Sequence, residues 1–391
     1  MLRPSRALAG SGVACLAALA VAGCSAASKS SSSSSTLTVS GNTLRIYLSE
    51  PSDLRSDPVA QDVVHAEQMA FSAHSKSVTR YKLALEPVSY KTLSDNARAA
   101  IIDSKTIAYL GEIAPGASDQ TTGITNAQDV LQVSPTDGAL ELSQATPAVS
   151  GGVKSYFEQW SSYARTFARV VPSGAEEAKA QVAEMKSLGV TRLYVANDGS
   201  DYGRALADVV RGDAEAAGLK IEPSVGEEVN GYFYGGESPS AAAKFFNQIA
   251  TTAPTAKLFG PASLNSSAFT SALSSAVHNL YVSIPGYLPK DLPAEGKAFV
   301  AAFKTRYGHT PNTVAIFGYE AMAALLRVLA HEGANADNRA DVVTAFLKQS
   351  KVPSVLGSYS IDSSGNTSLD AFVFARMRAG KLVPFAAAPQ G

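Results

Sequence analysis

Apolar and polar positions along the chain follow two alternating periods, one helical and one typical of strands. In residues 60–75, the apolar positions recur at the spacing of one helix face. Short apolar runs such as 44–48 and 106–110 separate the helical stretches and are typical of buried strands. A regular succession of strand and helix predicts a parallel sheet covered by helices, which is an α/β layer architecture.

The same reasoning divides most of the chain into elements. Ser173 and Glu176 have the spacing of a capping box, so a helix is predicted from Ser173 to Gly189, where glycine suits the helix end. Two closing strands, 358–362 and 371–377, are predicted around a turn at 361–366. The other predicted strands are 44–48, 81–88, 106–110, 130–133, 192–196, 219–222, 231–234, 256–259 and 280–284, and the other helices are 60–75, 93–102, 202–217, 241–249, 295–307, 313–331 and 340–348.

The N-terminus has the layout of an export signal. Arg3 and Arg6 precede an apolar run over 7–22 that is too short to span a membrane. The run ends in Cys24, and the residues before it resemble a bacterial lipobox, so residues 1–23 are predicted to be a lipoprotein signal peptide. An ordinary signal peptide with an incidental cysteine is the alternative. The serine-rich segment 24–41 is predicted to be a flexible tether.

Composition narrows the classes of function. The 391 residues carry a net charge of −1, which argues against a nucleic-acid-binding protein. The two cysteines, Cys15 and Cys24, both lie near the N-terminus, so a disulfide scaffold and a cysteine-ligated zinc site are excluded from the body. Neither a phosphate-binding loop nor a GxGxxG motif occurs. The five histidines are scattered, so we expect no metal site. With these motifs missing we also expect no cofactor and no enzymatic activity, and a Ser/His/Asp triad assembled from distant positions is the alternative that the sequence leaves open.

An ordered set of short motifs resembles the type I periplasmic solute-binding proteins, in the leucine/isoleucine/valine-binding branch of ABC-transporter receptors. The resemblance runs from about residue 44 to 383, and it depends on the order of the motifs rather than on any single one. The motifs are the stretch from Gly111 to Ser134-Pro135, the turn at 195–203, the strand ends at 234–236 and 258–261, the helix segments at 306–308 and 317–321, and the segment 357–365.

This resemblance implies two Rossmann-like lobes with parallel sheets, joined by three crossovers, with the ligand held in the cleft between them. Placed on this sequence, the first lobe covers 42–166 plus 286–356, and the second covers 167–285 plus 357–391. Open α/β sheets bind ligands at the carboxyl ends of their strands, in agreement with that placement.

The family's ligand-binding loops indicate candidate contacts. The loop after Gly111 binds a ligand carboxylate in the family, and here Ser118 is the candidate, with a helix N-cap as its alternative role. In the next loop, Thr136 or the Gly138 N–H are candidates for an anion and Asp137 for an ammonium group, although Asp-Gly is also a common turn. Tyr202 matches the family's cleft tyrosine.

Two departures from the family pattern affect the ligand. An acidic residue normally follows the Gly-Pro pair and holds the ligand ammonium, but Ala262 stands there. Either Asp137 or Glu237 compensates, or the ligand is not an α-amino acid, because a buried ammonium needs a counter-charge. The chain between Gly218 and Gly231 is also short and lacks the family's further helix.

The resulting hypothesis is a lipid-anchored, extracytoplasmic and monomeric substrate-binding protein of an ABC importer. It would bind a small polar solute, such as an amino acid or a related carboxylate or amide, and present it to permease and ATPase subunits. The alternative, which the sequence does not separate, is a ligand-sensing subunit that signals to a membrane partner without transport.

Overall fold

The computed structural model describes residues 38–157 and 165–389. The signal peptide, Cys24 and nearly all of the tether lie outside these ranges, so those assignments stay predictions. Within them, no helix is both long and apolar enough to cross a membrane.

The first sheet has five parallel strands in the order β2-β1-β3-β4-β5. Strand β5 follows the predicted lobe boundary at residue 166, yet it pairs with β4 in this first sheet. The strands are β1 (Thr43–Ser49), β2 (Lys82–Val88), β3 (Thr106–Leu110), β4 (Leu131–Ser134) and β5 (Phe167–Arg169).

The second sheet has seven strands and a mixed topology. Its strands are β6 (Arg192–Asn197), β7 (Lys220–Ile221), β8 (Gly231–Gly235), β9 (Lys257–Gly260), β10 (Leu280–Pro285), β13 (Phe372–Arg378) and β14 (Lys381–Ala387), and a separate hairpin comprises β11 (Val352–Ser354) and β12 (Gly357–Tyr359). The order is β14-β13-β10-β9-β8-β6-β7, in which β13 runs antiparallel to both of its neighbours. The segment between β7 and β8 contains no helix, as the short sequence there predicts.

Helices cover both faces of the two sheets. They are α1 (Pro58–His74), α2 (Leu93–Ile102), α3 (Asp119–Asn126), α4 (Gly152–Phe157), α5 (Gly174–Ser187), α6 (Asp201–Ala216), α7 (Pro239–Thr252), α8 (Ser267–Ala272), α9 (Ala294–Tyr307), α10 (Ala315–Glu332) and α11 (Arg339–Leu347). We call the first sheet with α1–α3 and α9–α11 the first lobe, and the second sheet with α5–α8 the second lobe.

Local sequence explains where α1 begins and how it packs. Pro58 occupies the first helical turn, and the Asp57 carboxylate accepts hydrogen bonds from the Val59 and Ala60 N–H groups. Helix α1 packs along α10 in the core of the first lobe. Gly318 permits this contact, because a Cβ there would lie 2.5 Å from the Val63 carbonyl oxygen.

The second lobe has a core on each side of its sheet. Residues of α5 and α6, including Met185 and Leu206, pack on one face around Phe233 and Phe259. Aromatic side chains of α7 and α8 pack on the other face, where the Phe246 and Phe269 rings lie 6.0 Å apart between centroids. Burial on both faces explains why strands such as β8 are apolar along their whole length.

The chain passes between the lobes three times, after β5, after β10 and before β13. This arrangement confirms the predicted fold of two α/β lobes joined by three crossovers. Each passage follows or precedes a strand, and the carboxyl ends of parallel strands of both sheets face a common cleft.

One local prediction is wrong. Ser173 precedes α5, but its side chain makes no capping hydrogen bond, so the capping box with Glu176 does not form. The two predicted closing strands lie in different sheets: β12 pairs with β11, while β13 pairs with β10 and β14. Strand β14 was not predicted from the sequence.

Candidate functional site

A cavity of about 560 Å³ lies between the lobes, at the carboxyl ends of parallel strands from both sheets. We call it the interlobe cavity. Its residues come from the first lobe after β1, β3 and β4 and from the start of α1, and from the second lobe after β8, β9 and β10. The lining residues used below are Asp53, Asp57, Glu112, Thr136, Glu237, Ala262 and Ser263.

Three of the seven predicted ligand-binding residues line the interlobe cavity, namely Thr136, Glu237 and Ala262. Thr136 is 6% exposed, and its hydroxyl donates to the Ile113 carbonyl oxygen at 2.5 Å. The other four residues, Ser118, Asp137, Gly138 and Tyr202, are not among the lining residues. Ser118, Asp137 and Tyr202 are buried, and Gly138 is half-buried.

Asp137 is fully buried and binds the protein's own backbone. Its carboxylate accepts hydrogen bonds from the Gly116, Ser118 and Ala139 N–H groups at 2.7, 2.8 and 2.9 Å. Its backbone N–H donates to the Ser134 hydroxyl at 2.9 Å. The carboxylate therefore joins the loop after β3 to the loop after β4.

Ser118 and Gly138 complete this loop structure. The Ser118 hydroxyl accepts a hydrogen bond from the Glu112 N–H at 3.2 Å and does not cap α3. The Gly138 carbonyl accepts from the Gly174 N–H at 2.7 Å, which ties the loop to the start of α5. A Cβ at Gly138 would lie 3.0 Å from the Pro172 carbonyl oxygen, so this close backbone approach favours glycine.

Tyr202 lies in the first turn of α6 and is 3% exposed. Burial raises the pKa of its hydroxyl well above the ordinary value, and the nearby Glu177 carboxyl adds to the effect. Ser263 lies close to the hydroxyl, but the two do not meet hydrogen-bond geometry, and the hydroxyl has no partner among the described residues. The Tyr202 hydroxyl is therefore a hydrogen-bond donor without an acceptor in the described part of the chain, and it lies next to the cavity-lining Ser263.

Glu237 extends from the second lobe to the first. A Cβ built on Gly116 would lie 2.7 Å from the Glu237 Oε2, so the carboxylate sits against that loop. The Gly116 φ of +85° is also one that glycine adopts readily. Partial burial, together with the like charge of Asp198, raises the pKa of Glu237 to about 7. No hydrogen bond or ion pair to its carboxylate occurs among the described residues.

Glu112 is a cavity-lining acid that the sequence analysis did not select. It is 1% exposed, and its carboxyl oxygens accept from the Ser49 and Tyr109 hydroxyls at 2.8 and 2.6 Å. Burial raises its pKa to about 7. Its position directly after Gly111, at the end of β3, is the sequence signal that identifies it. Asp53 and Asp57 were also missed, because they lie after β1, away from the family's recognised loops.

Ala262 stands where the family has an acidic residue, but the carboxylate of Glu177, on α5, accepts a hydrogen bond from the Ala262 backbone. The Ala262 N–H donates to the Glu177 Oε1 at 2.7 Å, and the Ser283 hydroxyl donates to the same oxygen. Burial raises the pKa of Glu177 to about 7. Glu177 is not among the cavity-lining residues, so it organises the loop after β9 from behind. Over the described ranges, no cluster of three or more potential ligands is placed to hold a metal.

The amino-acid sequence matches one known protein family over part of its length. The sequence profile of the periplasmic binding protein family matches residues 229–381. None of the curated proteins compared with the chain matches significantly. The matched family consists of solute-binding proteins rather than enzymes, as the sequence analysis expected.

Solved structures match across nearly the whole chain. A leucine-binding protein of Thermotoga maritima has 18% identity and a TM-score of 0.70, covering 89% of this chain and 99% of that one. A substrate-binding protein of Desulfitobacterium hafniense in complex with leucine has 17% identity and a TM-score of 0.70, covering 88% and 100%. A solute-binding protein of R. palustris in complex with benzoate has 16% identity and a TM-score of 0.64, covering 88% and 96%. The chain therefore has the type I periplasmic binding protein fold and carries the sequence pattern of the periplasmic binding protein family over residues 229–381.

Proposed function

We propose that this protein is the extracytoplasmic solute-binding component of an ABC importer and holds a small polar solute in the interlobe cavity. The observation that carries the proposal is the cavity itself, formed by strand ends of both lobes. Its volume of about 560 Å³ is within the usual range for a small-molecule site. Structural neighbours with the same fold were solved with leucine and with benzoate, so solutes of that size support the proposal.

The work of such a protein is differential binding rather than covalent chemistry. A solute that touches Glu112 and Thr136 on one lobe and Glu237 and Ser263 on the other stabilises the closed arrangement over the open one. Hinge closure of this kind is common in two-lobed binding proteins. The lobes are joined by three passages of the chain, and the closed form is what a permease would recognise.

A cavity-blocking substitution tests the proposal. We expect Ala262→Phe to abolish ligand-induced thermal shifts, because a phenyl ring at this position fills cavity volume. The mature protein is screened against amino acids, amides, amines, sugars and aromatic acids, since a ligand at 100 times its dissociation constant adds about 2.7 kcal/mol of stability. Ala301→Phe, at an exposed position of α9, is the matched control and should keep every shift.

The outcomes separate the candidate functions. Solute binding that is lost in Ala262→Phe, together with solute uptake by cells that contain the partner permease, supports the proposal. Binding without uptake would instead support the ligand-sensing alternative. If no compound of any class changes the melting temperature, the solute-binding function is wrong.

We further propose that Cys24 carries a lipid that holds the protein at the outer face of the cytoplasmic membrane. The support is the lipobox-like sequence before Cys24 and the serine-rich segment after it. Cys24→Ser is expected to abolish incorporation of labelled fatty acid and to release the protein from the membrane fraction. Cys15→Ser, within the predicted signal peptide, is the control and should keep both. An unchanged mass and membrane retention in Cys24→Ser would contradict the anchor.

A further inference from the structure

We infer that the interlobe cavity selects a solute that carries a positive charge and no carboxylate, such as a primary amine, over amino acids and carboxylic acids. The inference rests on the proposed function and specifies its substrate class. Two independent observations support it. The titratable groups that line the cavity are acidic, and the backbone N–H groups around the cavity already donate hydrogen bonds to the protein's own carboxylates.

The titratable side chains that line the cavity are all acidic. Asp53, Asp57, Glu112 and Glu237 are among the lining residues, whereas no lysine, arginine or histidine is. Neither Asp53 nor Glu237 has a hydrogen-bond or ion-pair partner for its carboxylate within the described part of the chain. An anion brought into this cavity would meet like charges at short range and be repelled.

The backbone donors that would normally bind an anion are already occupied by the protein's own carboxylates. Helix starts and strand-end loops are the usual anion sites of such folds, because their N–H groups point outward. Four of these places around the cavity are filled: Asp57 accepts from Val59 and Ala60, Asp137 from Gly116 and Ser118, Asp198 from Glu237 and Ser238, and Glu177 from Ala262.

The pairs made by the buried carboxylates of Asp137 and Glu177 are short enough to exclude a competing carboxylate. The two Asp137 contacts are 2.7 and 2.8 Å, and the Glu177 contact is 2.7 Å. Pro115, also in the loop after β3, has no N–H to offer. A ligand carboxylate would have to displace a buried side chain from its donors, whereas an ammonium group finds free acceptors at Asp53 and Glu237.

The remaining surface suits a small apolar body with one polar group. Val59, Leu93, Ile113, Pro285 and Val314 supply apolar contacts. Serines of the loop after β9 and of α8 supply hydroxyls, and the buried, unpartnered Tyr202 hydroxyl lies next to Ser263. These groups accommodate an alkyl or aryl amine with a further hydrogen-bonding group, and none of them requires a carboxylate.

Matched ligands test the charge preference directly. Binding of 3-methylbutan-1-amine, leucine and 4-methylpentanoate is measured by calorimetry on the mature protein, and benzylamine is compared with benzoate. We expect the amine of each set to bind about tenfold or more tightly than its partners. Glu237→Gln should weaken amine binding about tenfold, and Glu227→Gln, an exposed acid outside the cavity, should not.

The pH dependence provides a second readout with a definite sign. Burial and the facing carboxylates Asp198, Asp119, Asp137 and Asp201 raise the pKa of Glu237 to about 7. An ammonium ion binds the ionised form, so amine affinity should rise about tenfold between pH 6 and pH 8. A carboxylate ligand would show the opposite trend. Glu237→Gln should reduce the pH dependence of amine binding to the part that comes from Glu112, the other cavity-lining acid whose pKa burial raises to about 7.

The results distinguish failure of the inference from failure of the proposed function. Tight binding of leucine, 4-methylpentanoate or benzoate, with weak binding of the amines, overturns the charge preference and leaves the solute-binding function intact. Amine binding that persists in both Glu237→Gln and Ala262→Phe also overturns it, because the amine is then bound elsewhere. If neither these ligands nor the broader panel binds, both proposals are wrong.

Discussion

Replacing Arg169 with Met is expected to lower the free energy of unfolding by about 3–5 kcal/mol. Arg169 is fully buried in β5, and its guanidinium donates to the Asp137 and Ala139 carbonyls and to the Ser143 hydroxyl at 3.2, 2.6 and 2.8 Å. Burial lowers the pKa of Arg169 to about 10, so it stays charged at neutral pH. Methionine keeps much of the apolar stem but leaves these acceptors unpaired.

Denaturant unfolding of the mature protein measures this loss, with Arg98→Met as the matched control. Arg98 is exposed on α2 and pairs with Asp95 at 3.1 Å, so its replacement should change stability by less than about 0.5 kcal/mol. Equal unfolding midpoints for the two variants would show that the buried guanidinium is not needed to hold the 137–143 loop.

Asp137→Ala is expected to destabilise the protein by about 2–4 kcal/mol, because three buried N–H groups lose a charged acceptor. The sequence analysis assigned Asp137 to direct contact with a ligand ammonium. Its burial and its three backbone contacts instead support a positioning role for the loop after β3. A second result follows from the freed donors: the variant should gain affinity for benzoate relative to the parent protein.

Glu227→Ala, at an exposed position outside the cavity, controls for the loss of a carboxylate and should change neither stability nor benzoate affinity. Asp137→Ala and Arg169→Met act on one loop, so their combined effect should be smaller than the sum of the single effects. Full additivity would mean that the two residues stabilise separate parts of the structure. Unchanged stability in Asp137→Ala would remove it from the loop scaffold.

The secondary structure was largely predictable from the sequence. Strand β3 and helix α2 begin and end where the pattern predicts, because each has strong local signals. Thr92 caps α2 by accepting a hydrogen bond from the Asp95 N–H, and Gly111 ends β3. The prediction was wrong where the local sequence is compatible with more than one set of hydrogen bonds. Ser173 has the spacing of a cap, yet its side chain makes no capping bond.

Strand pairing was less predictable than strand existence. The closing strand 371–377 was predicted without a pairing partner, and the structure pairs β13 with β10, which lies about 90 residues earlier in the chain. Such pairing depends on which sheet has a free edge where the C-terminal segment of the chain re-enters the second lobe. Short edge strands such as β5 and β11, three residues each, carry too little periodicity to be detected.

For the site, the sequence by itself determined which loops surround the cleft, because strands of a parallel sheet end on one side. Thr136 and Ala262 were selected through the family resemblance, Glu237 was selected as the acid that compensates for Ala262, and all three line the cavity. Only the tertiary structure decided which polar groups face the solute and which bind the protein. Asp137 and Glu177 are committed to backbone donors 19–21 and 85 residues away in sequence. The physical reason is that a carboxylate's role depends on which donors and charges the fold places around it, and its position along the chain does not specify them.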